Sequence, residues 1–539
     1  MGYKSVQIKK ITCIQLDGPL PDLCYRMVMP NYGLPLIGTI LSEAGYDVKV
    51  YMEHIESPQW DRIAASDIIC FSTFNVAAGK TYRLAREIRQ KLGIPTIIGG
   101  THASYFPESC LQYVDYVVIG EGDETILELI ETIASNGDLE QVPGIAYRIG
   151  DQVYRTPPRR GPNRFETIPN YSLIEGYPRM NLAKMLMRQK KPWLTVQSSR
   201  GCPFHCTFCI VNTMFIGGYR KRDIESVIRD LRNKRQYGKE LMFVDNEFSA
   251  HPSYTKLLLR RMIDENFDFN IFVFARVGVA KDDELLSLMR QAGITYIYQG
   301  YESIQSETLS TYNKRQTFKD IIAAIEKLHA FGFSIMGSFI MGADSDTLET
   351  IWSTVDFVVE QQLSSATFFT LWGHFPEKSN AYQTLIPWYR SIFRGWRYTN
   401  GHFLTHFPMK IPPSKLQRAI PKIYRTIYSP KQIMRALKNR RYNDALHRLM
   451  LRYLWHSIEK EIWEYIPFLE ELEDGLYDSR DNLREDLLAQ RVRENPRWTL
   501  QAGKQTIESL GLLQPELPFP EKRNISCLSV ELDSHSARN

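Results

Sequence analysis

Short β-branched runs alternate with amphipathic helical stretches along the first 143 residues, the pattern of an open parallel α/β sheet. A glycine placed to end the helix follows two of these stretches, Gly45 after 35–44 and Gly93 after 79–91. Predicted strands lie at 11–16, 47–51, 67–72, 96–98 and 116–119. Five strands with crossover helices predict a Rossmann-like domain over residues 1–143.

A second, longer alternation occupies residues 192–385. Its helical stretches carry apolar residues at a helical period, as in 283–291 and 318–330. Predicted strands lie at 194–198, 241–244, 271–274, 296–298, 334–339 and 367–370. Six such βα units predict a partial (β/α)6 TIM-like barrel, with its chemistry at the C-terminal ends of the strands.

The remaining segments lack this alternation. Residues 144–191 are rich in Pro, Arg and Asn and are predicted to form an ordered connector. Residues 386–513 predict a mainly helical C-terminal region, and the polar, Pro-rich residues 514–539 predict a disordered tail. The whole chain is therefore predicted to be an α/β protein of about three domains.

Composition narrows the class of protein. Hydrophobic residues make up 43% of the chain and charged residues 24%, as in soluble globular proteins. No stretch approaches the roughly 18 uninterrupted apolar residues of a membrane span, and the first residues hold no apolar signal region. These features predict a cytoplasmic protein without a transmembrane segment. The net charge of +5 is mild for so long a chain and does not indicate a nucleic-acid partner.

Three cysteines follow the first strand of the predicted barrel, in the spacing Cys-x3-Cys-x2-Cys: Cys202, Cys206 and Cys209. Three thiolates on one tight loop suit three irons of a [4Fe-4S] cluster and leave the fourth iron open. The alternatives are a zinc knuckle or chance. A zinc site normally has a fourth Cys or His ligand. No second pair of cysteines lies nearby, but His205 could serve as that ligand. The other cysteines are scattered without paired spacing, which predicts reduced thiols rather than disulfides.

This cysteine spacing resembles the signature of the radical S-adenosylmethionine (SAM) superfamily. The resemblance implies that SAM chelates the open iron and that an electron from the cluster cleaves it to a 5′-deoxyadenosyl radical. It also implies an electron donor such as flavodoxin or ferredoxin. The SAM contacts that it implies are Phe208, Asp245, Glu247, Arg276, Glu302 and Ser303.

The first domain resembles the cobalamin-binding domain of one large branch of that superfamily. The matching pieces are the runs at 33–36, 43–48, 99–103 and 115–122. In such sheets ligands lie beyond the carboxyl ends of the strands. The implied cobalamin contacts are Ser72, Thr73, Gly99, Gly100, Gly120 and Glu121. From the residues alone, these glycines fit tight strand-to-helix turns equally well.

The motif Asp-x-His-x-x-Gly, by which some cobalamin proteins place a histidine below the cobalt, is absent here. Asp17 follows the first strand, but Pro19 stands where the histidine would be. Two interpretations stay open: the cobalamin has no histidine below it, or the domain has the fold without the cofactor.

Polar residues after the later barrel strands have two interpretations each. Asp344 and Asp346 are candidate site residues or helix caps, and His374 is a candidate acid–base group or a structural histidine. From Ser414 to Arg452 the chain has eleven Lys or Arg residues and one acid, Asp444. This stretch is either a helical subdomain with solvated faces or a basic amphipathic surface that rests on an anionic membrane to collect a lipid-soluble substrate.

Together these features predict a radical SAM enzyme that uses cobalamin to methylate an unactivated carbon of a small molecule, with a hydrophobic substrate as one candidate. One alternative is a radical reaction without methylation, such as the ring-forming oxidation of anaerobic porphyrin cyclases. The other is a non-catalytic iron–sulfur scaffold or electron carrier.

Overall fold

The structure, a computed structural model, describes residues 7–18, 29–178, 193–374 and 385–495. Among these residues, no helix is long and apolar enough to cross a bilayer. The predictions for Pro19, for Cys24 and Cys527, and for the tail at 514–539 lie outside the described residues.

The first sheet has seven strands in the order β2-β1-β3-β4-β5-β6-β7. Strands β1 to β5 run parallel, which confirms the predicted Rossmann-like arrangement. The strands are β1 (Lys10–Gln15), β2 (Asp47–Met52), β3 (Ile68–Ser72), β4 (Thr96–Gly99), β5 (Tyr116–Val118), β6 (Ile145–Ile149) and β7 (Gln152–Arg155). Their helices are α1 (Gly33–Glu43), α2 (Trp60–Ala64), α3 (Ala78–Leu92), α4 (Thr101–Tyr105), α5 (Pro107–Cys110) and α6 (Thr125–Ser135).

Strands β6 and β7 form an antiparallel hairpin on the edge of this sheet. The sequence analysis assigned these residues to the connector that begins at residue 144. The hairpin was missed because β6 buries its first three residues and exposes its last two, so that it shows no alternation. The first sheet thus extends about a dozen residues further than its predicted domain, whose bounds stay a prediction.

The second sheet has six parallel strands in chain order, as expected for an open barrel. These are β8 (Trp193–Val196), β11 (Glu240–Phe243), β12 (Asn270–Phe274), β13 (Ile294–Glu302), β14 (Ser334–Met341) and β15 (Ser365–Thr370). Between β8 and β11 lie the short strands β9 (Ser199–Arg200) and β10 (Arg220–Lys221). All six predicted barrel strands are therefore confirmed.

The barrel helices bury one face against this sheet. Side chains fix several starts: Asp223, Asp282 and Thr317 each accept a hydrogen bond from the first turn of the helix that follows. The helices are α7 (Val211–Met214), α8 (Ile224–Lys234), α9 (Pro252–Asp264), α10 (Asp283–Gln291), α11 (Ser306–Thr311), α12 (Phe318–Ala330) and α13 (Leu348–Glu360).

The C-terminal region is helical, as predicted, and covers the open edge of the barrel. Its helices are α14 (Pro413–Ile427), α15 (Pro430–Lys438), α16 (Tyr442–Glu473) and α17 (Glu485–Glu494). The edge strand β15 leaves backbone groups unpaired on one side. The amides of Phe368 and Ala366 donate to the hydroxyls of Tyr424 (2.8 Å) and Tyr428 (3.3 Å), which in turn donate to the carbonyls of the same residues. Two buried tyrosines thereby protect the edge from pairing with another chain.

The first sheet and the barrel are joined by buried ion pairs. Glu121, at the end of β5, accepts from Arg200 at 2.9 Å and from Arg220 at 2.5 Å. Asp123 accepts from Arg200 through both carboxylate oxygens, each at 2.9 Å. Because Arg200 and Arg220 lie on the paired strands β9 and β10, this contact anchors the base of the cysteine loop to the first domain.

Candidate functional site

The three cysteines lie on a loop whose two ends are held together. Strands β9 and β10 pair antiparallel, so that residues 201–219 leave and return at one point. Gly201 begins the loop with φ +77, and a Cβ at this position would lie 2.5 Å from the carbonyl oxygen of Gly218. Only glycine fits this close approach of two backbone segments.

Cys202, Cys206 and Cys209 are free, partly buried thiols. The Cys209 amide donates to the Cys206 carbonyl at 3.1 Å, which curls the loop around the thiols. Burial, together with smaller contributions from the neighbouring Cys206 and Cys202, raises the pKa of the Cys209 thiol to about 11. Arg276 supplies a positive charge, since its Nη1 lies 3.2 Å from the Cys206 Sγ.

The two predicted kinds of metal site, zinc and a [4Fe-4S] cluster, differ in how their protein ligands are arranged. Within the described residues, no group of three or more His, Cys, Asp or Glu side chains converges on a single metal ion. A tetrahedral zinc site needs such convergence on a single ion, whereas a cubane spreads its cysteines over separate irons. Three thiols on one loop without a fourth protein ligand therefore fit a [4Fe-4S] cluster better than zinc.

The Asp245 carboxylate follows β11 and is fully engaged within the protein. One oxygen accepts from the Ser198 amide at 2.9 Å, and the other accepts from the hydroxyls of Ser198 (2.6 Å) and Ser199 (2.5 Å). Burial raises the pKa of this carboxyl, while these hydrogen bonds lower it. The side chain thus fixes the entry to the cysteine loop, and both of its oxygens have protein partners.

Glu247, two residues further on, is buried in the same way. It accepts from the backbone amide of Arg276 at 2.7 Å and from the hydroxyl of Ser249. The Arg276 guanidinium lies 4.2 Å from the centre of the Phe204 ring and donates to the Lys314 carbonyl. Glu247 therefore orients Arg276, and Arg276 bridges the end of β12 to the cysteine loop.

Glu302 ends β13 at a β-bulge, in a left-handed conformation with φ +65 that is uncommon for a residue other than glycine. Its carboxylate accepts from Lys314 Nζ at 2.7 Å, and both side chains are nearly buried. A Cβ at Gly300 would lie 2.4 Å from the Glu302 carboxylate, so this glycine makes room for the ion pair. Strain of this kind persists where the surroundings hold the residue, and it clusters at functional sites.

Phe208 and Ser303 complete the predicted SAM contacts. The Phe208 ring packs edge-on against Tyr312 at 5.2 Å, in an apolar cluster that includes Ala343 and Leu371. Ser303 accepts from the Gln305 amide at 3.0 Å and starts the next turn. Five of the six predicted residues follow or end barrel strands on the side of the cysteine loop, and Phe208 lies on that loop. The side chains of Asp245, Glu247 and Glu302 each bind to a protein partner.

A cavity of about 670 Å³ lies between the two domains. The first sheet contributes the ends of its strands, and the barrel contributes Gln197, Val244 and Asn246. Helix α7, directly after the cysteines, lines it with Val211 and Met214. The cavity therefore adjoins the cysteine loop.

Five of the six residues predicted to contact cobalamin line this cavity: Ser72, Gly99, Gly100, Gly120 and Glu121. Thr73 does not, because it turns into the domain, where its hydroxyl bonds to Phe74 and Thr81. Glu121 reaches the cavity, but its carboxylate binds Arg200 and Arg220. Gln15 also lines the cavity, and its Oε1 is a buried acceptor without a partner in the part of the chain that the structure describes.

The sequence analysis missed the barrel side of this cavity. Asn246 is exposed between the buried Asp245 and Glu247, as the alternation of an extended chain requires. That alternation was visible in the sequence and could have identified Asn246. No sequence signal marked Gln197 or α7 as cavity-lining.

One histidine of the first domain lines the cavity beside the end of β1. His54, after β2, lines the cavity, and its Nδ1 lies 3.0 Å from the Asp17 carboxylate. Its Nε2 lies 3.0 Å from the carbonyl oxygen of Met29. Both ring nitrogens thus have protein partners.

Neither Asp344 nor Asp346 caps a helix, since Thr347 is the N-cap of α13. Asp344 pairs with Arg390 at 2.9 Å, and Asp346 accepts from the amides of Gly342 (2.9 Å) and Ala343 (3.0 Å). Burial raises the pKa of Asp346 to about 7. His374 is buried and its Nδ1 bonds to the Ser391 hydroxyl at 2.8 Å, which supports the structural interpretation of this histidine.

The cavity also has the features that a large planar cofactor needs. Three glycines of the first domain, Gly99, Gly100 and Gly120, line it at the strand ends, where the lack of side chains lets a large group approach the backbone. The unpaired Gln15 oxygen offers an acceptor for an amide donor, and the corrin ring of cobalamin carries amide side chains. These residues fit cobalamin.

Comparison with known proteins agrees with this geometry. Residues 196–358 match the radical SAM superfamily and residues 22–130 match the B12 binding domain. An uncharacterized methyltransferase of Pyrococcus horikoshii is 27% identical over 353 residues, which are 63% of this chain and 75% of the relative. The hopanoid C-3 methylase of Methylococcus capsulatus is 26% identical over 352 residues, or 62% and 65% of the two chains.

Among solved structures, the radical SAM methyltransferase TsrM of Kitasatospora setae, with cobalamin and a [4Fe-4S] cluster bound, aligns with a TM-score of 0.59. The alignment covers 68% of this chain and 75% of TsrM at 18% identity. At this identity the likeness concerns the fold.

Proposed function

Because the chain belongs to the branch of the radical SAM superfamily that carries a B12-binding domain, we propose that it is a cobalamin-dependent methyltransferase acting on an unactivated carbon of a small molecule. The observation that carries this proposal is the cavity between the first sheet and the barrel, which adjoins the cysteine loop. Because the cavity and the cysteine loop adjoin, a methyl donor in the cavity and a radical formed beside the cysteines could both reach the same substrate molecule. The methyltransferase and methylase names of the relatives support the reaction class.

The cofactors of the chain are a [4Fe-4S] cluster, SAM and cobalamin. When bound, the cluster supplies the electron for the cleavage of SAM, and cobalamin carries the methyl group to be transferred. We propose that Cys202, Cys206 and Cys209 hold the cluster. Arg276 would then donate to the cluster-bound sulfur of Cys206 across the 3.2 Å contact and place a positive charge beside the cluster.

For SAM, we propose that the backbone after β11 accepts from the amino group, while Phe208 lies against the adenine. Glu302 is held by Lys314 at the end of β13, where a carboxylate can accept from ribose hydroxyls. The apolar cluster around Phe208 and Tyr312 excludes water from this side of the barrel. A reactive carbon radical needs such exclusion, because it would otherwise take a hydrogen atom from the nearest donor.

For cobalamin, we propose contacts with Ser72, Gly99, Gly100 and Gly120 from the first domain. Gln15 and Asn246, which also line the cavity, offer polar groups from opposite walls. Glu121 and Thr73 support the walls through their protein partners. No histidine below the cobalt is included, because both nitrogens of His54 are engaged.

A radical SAM enzyme requires a reduced electron donor and a small-molecule substrate. We propose flavodoxin or ferredoxin as the donor and an apolar molecule as the substrate, which the apolar cluster around Tyr312 and Leu371 beside the cysteine loop supports. The cysteines of the described residues are all free, which supports a reducing compartment such as the cytoplasm.

The test is an anaerobic incubation of reconstituted, cobalamin-loaded protein with SAM that carries a deuterated methyl group, a reductant and a small-molecule extract. We expect 5′-deoxyadenosine, S-adenosylhomocysteine and a deuterated product together. 5′-Deoxyadenosine without S-adenosylhomocysteine would instead favour a cyclase-type reaction without methylation. If protein with an intact cluster forms neither 5′-deoxyadenosine nor S-adenosylhomocysteine, the proposal is contradicted and the non-catalytic iron–sulfur scaffold is favoured.

A further inference from the structure

Helix α16 has apolar residues on two opposite faces, and only one of them is buried. Ala445, Leu451 and Leu454 face the protein interior. On the other side, five large side chains are exposed at the spacing i, i+4, i+7, i+8 and i+11, which places them on one face. We call them the apolar stripe: Tyr442, Leu446, Leu449, Met450 and Tyr453.

The exposure of this stripe is large. Tyr453 is 68% exposed and Leu449 is 54% exposed. The neighbouring helix α15, which packs on α16, adds Met434 and Leu437 to the exposed apolar residues. A contiguous apolar patch on a surface helix marks an interaction site more often than single exposed side chains do.

The charge around the stripe has one sign. Between residues 422 and 456 the only acid is Asp444, which is buried and paired with Arg441 at 2.5 Å. Exposed basic residues lie near the stripe on α14, α15, the α15–α16 junction and α16 itself: Lys422, Arg425, Lys431, Lys438, Arg440 and Arg452. Of these, Arg425 pairs with Glu459 beyond the stripe. The surface therefore favours an anionic partner.

A groove of about 330 Å³ adjoins the stripe between α14 and α16. Leu449 and Tyr453 of the stripe form one side of it, and Tyr424 and Trp455 form an aromatic floor. Arg425, Arg452 and Glu459 stand in its walls, and Glu459 pairs with Arg425. An aromatic floor with the Arg452 guanidinium at the rim suits a molecule that has a hydrocarbon part and an anionic head.

This surface is separate from the cysteine site. Arg448, on the buried side of α16, donates to the carbonyls of Leu363 (2.5 Å) and Ser364 (3.2 Å), which precede β15. The stripe thus lies near the N-terminal ends of the barrel strands, whereas the cysteine loop follows the C-terminal end of β8. A partner bound here would leave the mouth of the barrel free.

We propose that α15 and the first half of α16 form a docking surface for an anionic lipid membrane. The helix lies along the surface with the stripe in the headgroup region, while the lysines and arginines contact lipid phosphates. A second copy of the chain is a poorer occupant, because it would bring two strongly basic surfaces together. The proposal does not depend on methyl transfer, since the stripe takes no part in the cysteine site.

The test uses the full reconstituted enzyme and sedimentation with vesicles of phosphatidylcholine alone or with about one third phosphatidylglycerol. We expect strong binding to the anionic vesicles, weak binding to the neutral ones and weaker binding at high salt. The variant Leu449→Asp/Tyr453→Asp should lose at least about tenfold in partitioning, because two apolar side chains no longer enter the interface. Lys438→Ala and Arg440→Ala should each lose about fivefold.

The matched control is Leu257→Asp on α9, where a leucine is likewise 54% exposed but outside this surface. It should bind anionic vesicles as the unaltered protein does. Formation of 5′-deoxyadenosine in solution should be the same in all these variants, which shows that they are folded. The proposal is overturned if the unaltered enzyme ignores anionic vesicles or if the stripe variant binds as well as the control. A dimer that dissociates on Leu449→Asp/Tyr453→Asp, without vesicle binding, would overturn it in favour of a second copy.

Discussion

The Arg276 guanidinium lies 3.2 Å from the Cys206 sulfur, with Nη1 as the donor. The contact spans 70 residues of sequence and joins the end of β12 to the cysteine loop. Stacking on Phe204 holds the guanidinium plane, and Glu247 holds the Arg276 backbone. The environment of the sulfur is therefore set by a residue outside the cysteine motif.

Replacing Arg276 should change the redox behaviour of the site. Loss of a positive charge and a hydrogen bond at a cysteine sulfur makes a cluster harder to reduce. Arg276→Ala should therefore shift the midpoint potential of the reconstituted cluster to more negative values, as followed by paramagnetic resonance during a redox titration. Arg260→Ala, at an exposed position of α9, serves as the control. An unchanged potential in Arg276→Ala would mean that the contact has no electronic role.

Cys206→Ala should abolish cluster assembly. Two remaining thiols cannot hold a cubane that already lacks a fourth protein ligand. Iron and sulfide content and the visible spectrum measure the loss, and Cys110→Ala, a buried thiol of the first domain, should keep the iron content of the unaltered protein. A full [4Fe-4S] spectrum in Cys206→Ala would reject the ligand assignment.

Gly201→Ala should open the base of the cysteine loop. The added Cβ would lie 2.5 Å from the Gly218 oxygen, and alanine disfavours φ +77. We expect a loss of about 2 kcal/mol or more in the free energy of unfolding, together with poor iron incorporation. Gly278→Ala is the control, because a Cβ there has no heavy atom within 4 Å. Equal stability of the two variants in urea would contradict the proposed constraint.

Ser72→Phe should prevent corrinoid binding while leaving the cysteine site intact. Ser72 ends β3 and lines the cavity, so a phenyl ring would fill space next to Gly99 and Gly100. The expected result is loss of the corrinoid spectrum after gel filtration, with normal iron content. Ser135→Phe, at the exposed end of α6, should retain corrinoid. Equal retention by both variants would place the cofactor elsewhere.

Asp346 should make stability depend on pH. Its folded pKa of about 7 lies above its ordinary value of 3.8, so the folded chain binds more protons than the unfolded chain between these values. The contribution of Asp346 to stability is thus complete below about pH 4 and is lost as the pH rises through 7. Relative to Asp346→Asn, the unaltered protein should lose unfolding free energy over this range. A parallel pH profile for the two proteins would show that Asp346 is ionised throughout.

The periodicity of apolar residues in the sequence was sufficient to predict most of the helices and strands. The helices Asp283–Gln291 and Phe318–Ala330 have their predicted ends, since each buries one regular face against the barrel. The hairpin at Ile145–Ile149 and Gln152–Arg155 could not be predicted in this way, because an edge hairpin buries too few side chains to leave a pattern. The cysteine motif identified the loop but not its partner Arg276.

The partners of the acidic side chains at the strand ends could not be predicted from the sequence. Asp245 and Glu247 were natural candidates for ligand binding, because they are acids after a parallel strand. Each instead satisfies buried donors of the protein, Ser198 and Ser199 for one and the Arg276 amide for the other. Such partners come from distant segments, and only the folded chain shows which acids are already engaged.

The tyrosines that seal β15 tie the order of folding to the order of synthesis. The barrel ends at about residue 370, but the groups that satisfy its edge strand are Tyr424 and Tyr428, which leave the ribosome later. Until these residues have been made, the edge strand of the barrel lacks the partners of its backbone groups. A chain cut near residue 385 would keep that edge exposed and would tend to aggregate. We therefore expect that the barrel can be produced as a folded protein only together with the C-terminal helical region.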